Sequence, residues 1–134
     1  MAGVKIIVVD GTEILEVDYR GAKPVEMIDI FDQATEVLTN NNKPMLVMSL
    51  LQDDNYGTPD FIRHIEKQLS KHGHLIIKQA VIGLNLTKRI LLTGLNIFLQ
   101  RNFKAFDTRE EGLQYLLQKN SEEDLPDHFK KRKS

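Results

Sequence analysis

The chain has no cysteine among its 134 residues, only four prolines, and a formal net charge of −1. Without cysteine there are no disulfides, no thiolate metal sites and no cysteine nucleophile, and a reducing, cytoplasmic setting is expected. A net charge near zero provides no global field for nucleic acid or an acidic substrate. Long apolar runs are missing as well. The most apolar segment, residues 90–99, is interrupted by Thr93, Gly94 and Asn96, and reaches about half of the ~20 residues a membrane span requires. The start, "MAGVKIIVVDGTEILEV", lacks a basic leader and is broken by Asp10, so no signal peptide is expected. Serine is scarce, and none of Ser49, Ser70, Ser121 and Ser134 lies in a Gly-x-Ser-x-Gly elbow.

What is present is an alternation of strand and helix signals. "VKIIVVD" is β-branched and ends in Asp10-Gly11, a hairpin turn signal. In "ILEVDYR", Leu15, Val17 and Tyr19 face one way and Ile14, Glu16, Asp18 and Arg20 the other. The polar second face implies that the sheet is solvated there. Pro24 suits the first turn of a helix over 24–40, with Met27, Ile30, Phe31, Ala34, Val37 and Leu38 on its apolar face. "PMLVMSLL" is apolar on both faces and reads as a central strand. Thr58 is placed as an N-cap before Pro59, opening a helix over 60–72 that buries Phe61, Ile65 and Leu69 and ends at Gly73. "LIIKQAVIG" is a strand, 86–100 a helix and "FKAF" a short strand. Asp107 and Glu110 resemble a capping box for a last helix carrying Leu113, Leu116 and Leu117.

The order β-β-α-β-α-β-α-β-α predicts a single α/β domain over residues 1–119. Its sheet is mostly parallel, with right-handed crossovers and an antiparallel first strand. Residues 120–134, "NSEEDLPDHFKKRKS", read as a flexible charged tail.

The helix over 86–100 is unusual. At 100° per residue Arg89, Thr93, Asn96 and Gln100 fall within roughly 60° of one another, leaving an apolar arc of roughly 240°. A sheet covers ~100°. The remainder must meet neighbouring helices, a second copy, a lipid-like ligand or a membrane surface. In the homodimer reading, Leu91, Leu95 and Phe98 are the self-association candidates.

Two stretches carry candidate binding chemistry. Asn85, Thr87, Lys88 and Arg89 lie where a strand end meets a helix start, a place for a phosphate or carboxylate, although the Walker order of residues is absent. Asp53, Asp54, Asn55, Tyr56 and Thr58 follow the central strand, where α/β proteins place their sites and where any turn uses the same residues. His72-Gly73-His74 can chelate, but polar residues are ordinary at a helix end, and the two aspartates have no further ligands at diagnostic spacing. No metal, cofactor, nucleic-acid partner or catalytic constellation is expected.

Three segments together, "ILEVDYRG", "KPMLVMSLLQDDNYGTPDFI" and "KQAVIGLNLTKRILLTGLNIFLQRNFKAFDTREEGLQYL", resemble the SpoIIAA-like family of small bacterial proteins. That fold is shared by STAS domains and CRAL-TRIO lipid-transfer domains. The resemblance spans residues 14–117 and implies parallel strands in sequential order. It implies little about function. In STAS domains that antagonise anti-sigma factors, a hydroxyl at a helix N-terminus after a central strand is phosphorylated. Thr58 occupies the matching place, but Tyr56-Gly57-Thr58-Pro59 stands where those domains carry Asp-Ser-Ser/Thr-Gly. The readings that follow are a non-enzymatic binding or signalling module, or a carrier of a small anionic or lipid-like ligand.

Overall fold

A computed structural model describes residues 2–118 apart from 42, 54, 56, 100 and 102, together with the backbone alone at 86, 95, 98 and 99. The elements are β1 (Gly3–Val9), β2 (Thr12–Asp18), α1 (Pro24–Asn41), β3 (Met45–Leu50), α2 (Pro59–His72), β4 (Ile76–Ile82), α3 (Leu86–Leu99), β5 (Lys104–Phe106) and α4 (Arg109–Leu116). They form a five-stranded sheet in the order β1-β2-β3-β4-β5. β1 is antiparallel to β2 and the other pairs are parallel.

Local chemistry accounts for the joints. Asp10 and Gly11 both have positive φ, 51° and 77°, the type I′ turn whose twist matches a hairpin. The Thr58 side chain accepts the Phe61 N–H at 3.1 Å, with Pro59 at the first helical position of α2. Gly73 ends α2, but in a right-handed conformation that runs on into a 3-10 turn over Gly73–Leu75. The capping box of α4 falls one residue later than Asp107 and Glu110. Thr108 Oγ1 accepts the Glu111 N–H at 3.2 Å and Glu111 Oε1 accepts the Thr108 N–H at 3.2 Å.

β3 sits in the centre with all six residues buried. On one side of the sheet Leu15, Val17, Val47 and Ile76 pack with Met27, Ile30, Ala34 and Leu38 of α1 and Phe61 of α2. On the other, Ile14, Leu46, Met48, Leu50, Ala80 and Ile82 pack with Tyr115 and Leu116 of α4.

That second layer overturns the expectation of a solvated face at β2. Glu16 and Asp18 are buried. The long return of α4 brings Arg109 Nη2 to 3.0 Å from Glu16 Oε2, and Lys5 approaches the same carboxylate at 3.8 Å. Asp18 accepts a fork from Arg20 Nε and Nη2, both at 2.9 Å. Burial alone raises the Asp18 pKa, and the Arg20 hydrogen bonds and charge outweigh it, holding the carboxyl below its ordinary value. Among the described residues, no helix is long and apolar enough to cross a membrane.

Candidate functional site

The parallel strands β3 and β4 have their carboxyl ends on the same side of the sheet, and the loops leaving them meet there. Gly83, with φ of 92°, turns the chain out of β4; a Cβ there would stand 2.1 Å from the Leu51 carbonyl oxygen. Only glycine fits so close a crossing. Asn85 then caps α3, its Oδ1 accepting the Lys88 N–H at 2.9 Å. This cap aims Lys88 back across the loop that follows β3. Its ammonium donates to the carbonyls of Asp53 at 2.9 Å and Gln52 at 3.4 Å, and to that of Asn55. The two candidate stretches therefore form one structural unit.

The other cation of that stretch is also engaged. Arg89 Nε donates to the Leu84 carbonyl at 3.1 Å and Nη2 to Asp107 Oδ1 at 2.5 Å. Thr87 is exposed. An arriving anion would compete with carbonyls and a carboxylate already in place, so this turn acts as a clamp between the β3 loop and α3. Asp53 is exposed and Thr58 half-buried with its hydroxyl oxygen used in the cap. Asp54 and Tyr56 lie outside the described residues.

Asn55, which the sequence offers only as one more polar residue of the candidate loop after β3, is almost wholly buried. Its Oδ1 accepts the Gln52 N–H at 2.8 Å, and Nδ2 donates to the carbonyls of Tyr19 at 2.7 Å and Ala22 at 3.3 Å. One side chain thus ties the β2–α1 connection to the β3–α2 loop. An asparagine in a polar turn carries no sequence signal that distinguishes a latch from a solvated turn residue.

On α3, Leu92 packs toward the α1–α2 core; of the polar stripe, Arg89 and Asn96 are half-buried, while Thr93 is exposed and bonds back to the Arg89 carbonyl at 3.1 Å. Asn96 bonds the peptide of Phe103, while Arg89 makes the contacts above. Ile90 and Leu91 are each 64% exposed and Ile97 is 75% exposed. Neighbouring helices do not cover these three. Of the self-association candidates, Leu91 is thus on the outer surface, and the side chains of Leu95 and Phe98 lie outside the described residues.

A small cavity of about 30 Å³ lies between the sheet and α1 and α2, bounded by Tyr19, Phe31, Ser49, Gln68, His72 and Gln79 among others. It has room for a water or two, an order of magnitude below the ~300 Å³ of a small-molecule pocket. Its polar wall is satisfied internally at Ser49, whose Oγ accepts Gln79 Nε2 at 2.9 Å. Burial, together with the charge of Asp32, raises the Tyr19 phenol pKa well above its usual value. Beside it, His64 of α2 meets Asp32 of α1, closing the two helices over this region. Among the described residues, no group of three or more histidines and carboxylates is gathered to hold a metal. No protein-family model matches the chain, and no curated protein is significantly similar to it.

Proposed function

We propose that the chain is a non-enzymatic binding module of SpoIIAA-like type that docks a protein partner through the outer face of α3. The sequential strand order supports the family resemblance. The observation that carries the functional reading is the outer face of α3: Asn96 is turned onto the peptide of Phe103, while Ile90, Leu91 and Ile97 point to solvent. Fully burying one such side chain is worth about 1.5–3 kcal/mol, so three on one helix give a partner a substantial apolar anchor.

Charge favours a protein over a membrane as that partner. A membrane-surface helix carries a basic rim around its apolar face. Here Lys88 is held by loop carbonyls and Arg89 by Asp107. Thr58, the residue at the phosphoswitch position of the related domains, caps the adjacent α2 and is a natural place to regulate such docking.

A photoreactive residue at position 97 of the full chain tests this in cells. The expected result is a defined protein adduct that disappears when Ile90→Glu is added. An adduct of lipid mass, or one indifferent to Ile90→Glu, would replace the protein-docking reading.

A further inference from the structure

The sheet has two edges, and the chain treats them differently. β5 is three residues long, a length that gives an incoming strand little to pair with. β1 is seven residues long and pairs with β2 without interruption from Gly3↔Asp18 to Val9↔Thr12. Natural edge strands are blunted by prolines, bulges, inward charges or a covering loop. β1, "GVKIIVV", has no proline and no break in its register, and its one lysine leans on Glu16. Ile6 and Val8 on the same strand are exposed.

The turn fixes which backbone groups are left over. In a two-residue hairpin the residues flanking the turn exchange both hydrogen bonds, so Val9 pairs fully with Thr12. Alternation then directs the peptide groups of Ile7, Lys5 and Gly3 toward β2, and those of Val8, Ile6 and Val4 away from the sheet. Among the described residues, the edge left without a neighbouring strand therefore consists of Val4, Ile6 and Val8. By the alternation of side chains these three also share one face, the α1 side on which Val4 packs.

We infer that β1 pairs antiparallel with β1 of a second copy, with Ile6 on the two-fold axis. In that register Ile6 faces Ile6 of the partner copy, and Val4 faces Val8. All three are pairs of the hydrogen-bonded kind, giving about six new backbone bonds. The side chains make a continuous ladder of β-branched residues, a class enriched in strands because it packs well on a pleated surface. The self-matching of this register is what selects a second copy over an unrelated strand: every outward donor meets an acceptor, and on the Val4, Ile6 and Val8 face every apolar side chain meets another. On the opposite face Lys5 lies across from Ile7 of the second copy, so no two like charges are set against each other. An isologous contact also closes after two subunits, so the exposed edge is consumed rather than propagated.

The inference is independent of the α3 reading. β1 and β5 are opposite edges of the sheet, and α3 connects β4 to β5. Joining two sheets at β1 leaves both α3 faces available, which makes the dimer a bivalent binder.

The absence of cysteine makes the test clean. The full chain is expected to run as a dimer by sedimentation velocity. Ile6→Lys sets two like charges opposite each other on the axis and is expected to raise the dimer dissociation constant roughly a hundredfold or more. Ile6 is partly exposed and directs its peptide groups away from β2, so the monomer is expected to keep its circular dichroism spectrum. Separately, Ile6→Cys places two thiols at a Cα separation of about 5.5 Å, within disulfide reach. It is expected to cross-link quantitatively on mild oxidation, while Ile97→Cys on α3 is not. A monomeric parent chain, an Ile6→Lys variant that remains dimeric, or cross-linking at position 97 in place of position 6 would each overturn the β1 seam. The last of these would assign self-association to α3 instead.

Discussion

The side-chain amide of Asn96 and the peptide of Phe103 exchange two hydrogen bonds: Nδ2 donates to the Phe103 carbonyl at 2.9 Å, and Oδ1 accepts the Phe103 N–H at 3.0 Å. Asn96 thus acts as a short piece of strand, satisfying a buried peptide just before β5. It also fixes the rotation of α3 about its own axis. With Asn96 turned inward, Ile90 and Ile97, close to one another around the helix, are carried outward. The apolar outer face is a consequence of where Asn96 finds its partner.

Asn96→Ala removes both bonds and leaves the peptide of Phe103 unsatisfied. Each bond contributes about 1 kcal/mol, with a further cost for the stranded groups. The expected loss is about 2–3 kcal/mol, read as a lower urea midpoint. A fall in hydrogen-exchange protection at Phe103 that exceeds the fall at β3 would localise the effect to this joint.

Asn55 makes the second joint, and its chemistry is asymmetric. Asn55→Asp keeps the acceptor for the Gln52 N–H but turns a carboxylate oxygen toward the carbonyls of Tyr19 and Ala22. A buried charge facing acceptors is unfavourable, so the folded-state pKa of the introduced acid is raised above its unfolded value. Stability is then low at neutral pH and recovers as pH falls through that raised value, where the protonated oxygen donates. At pH 7 the expected cost is about 3 kcal/mol or more. Urea midpoints that move closer to those of the parent at pH 5 than at pH 7 are the predicted signature.

How much of this was legible in the sequence follows from the range of each signal. Alternation and helical period depend on near neighbours, and they place β2, β3, α1 and α2 with boundaries close to those observed. The Thr58 cap and the Asp10-Gly11 turn are equally local. The burial of Glu16 lies beyond the reach of sequence pattern because Arg109, which meets it, comes 93 residues later, and no periodicity reaches that far. The polar stripe of α3 is visible at helical spacing, yet periodicity cannot tell which side of a helix faces in, and the stripe divides between a half-buried Asn96 and an exposed Thr93. Only the Asn96–Phe103 exchange decides it. Lys88 and Arg89 were legible as cations at a helix start, but the partners of Lys88 are backbone carbonyls, which every residue carries and no sequence marks.

Asp18 and Arg20 supply a pH signature of the opposite sign to that of Asn55→Asp. The Asp18 pKa is lowered in the folded state, so its contribution is present above the ordinary value of 3.8 and is lost as pH falls through the lowered one. Arg20 is partly exposed, which limits the pair to about 1 kcal/mol. Arg20→Gln is therefore expected to lower stability by about that amount at pH 7. The gap between variant and parent should close once pH has fallen through the lowered Asp18 value, where Asp18 is protonated in both. A gap that stayed constant across that window would show that Arg20 stabilises by packing alone.

Gly112 sets the distance between α4 and the sheet. A Cβ there would lie 2.5 Å from Ile82 Cδ1 and 3.3 Å from Ala80 Cβ. Within a helix, alanine is intrinsically better than glycine by about 1 kcal/mol, so the sign of Gly112→Ala depends on whether Ile82 can move. Ile82 is buried between α4 and the strand core, and turning its terminal methyl away displaces close-packed neighbours. The single substitution is expected to destabilise by about 1–3 kcal/mol, the usual cost of overpacking. Ile82→Val removes the offending methyl and by itself costs about 1 kcal/mol. Combined, the two should be less damaging than their sum, because the new Cβ occupies the space that the lost methyl vacates. A double-mutant cycle with a favourable coupling of about 1 kcal/mol or more is the predicted result. Strict additivity would mean that α4 accommodates the extra methyl by shifting as a body, and that the close approach at Gly112 is not what fixes the α4 layer over Glu16.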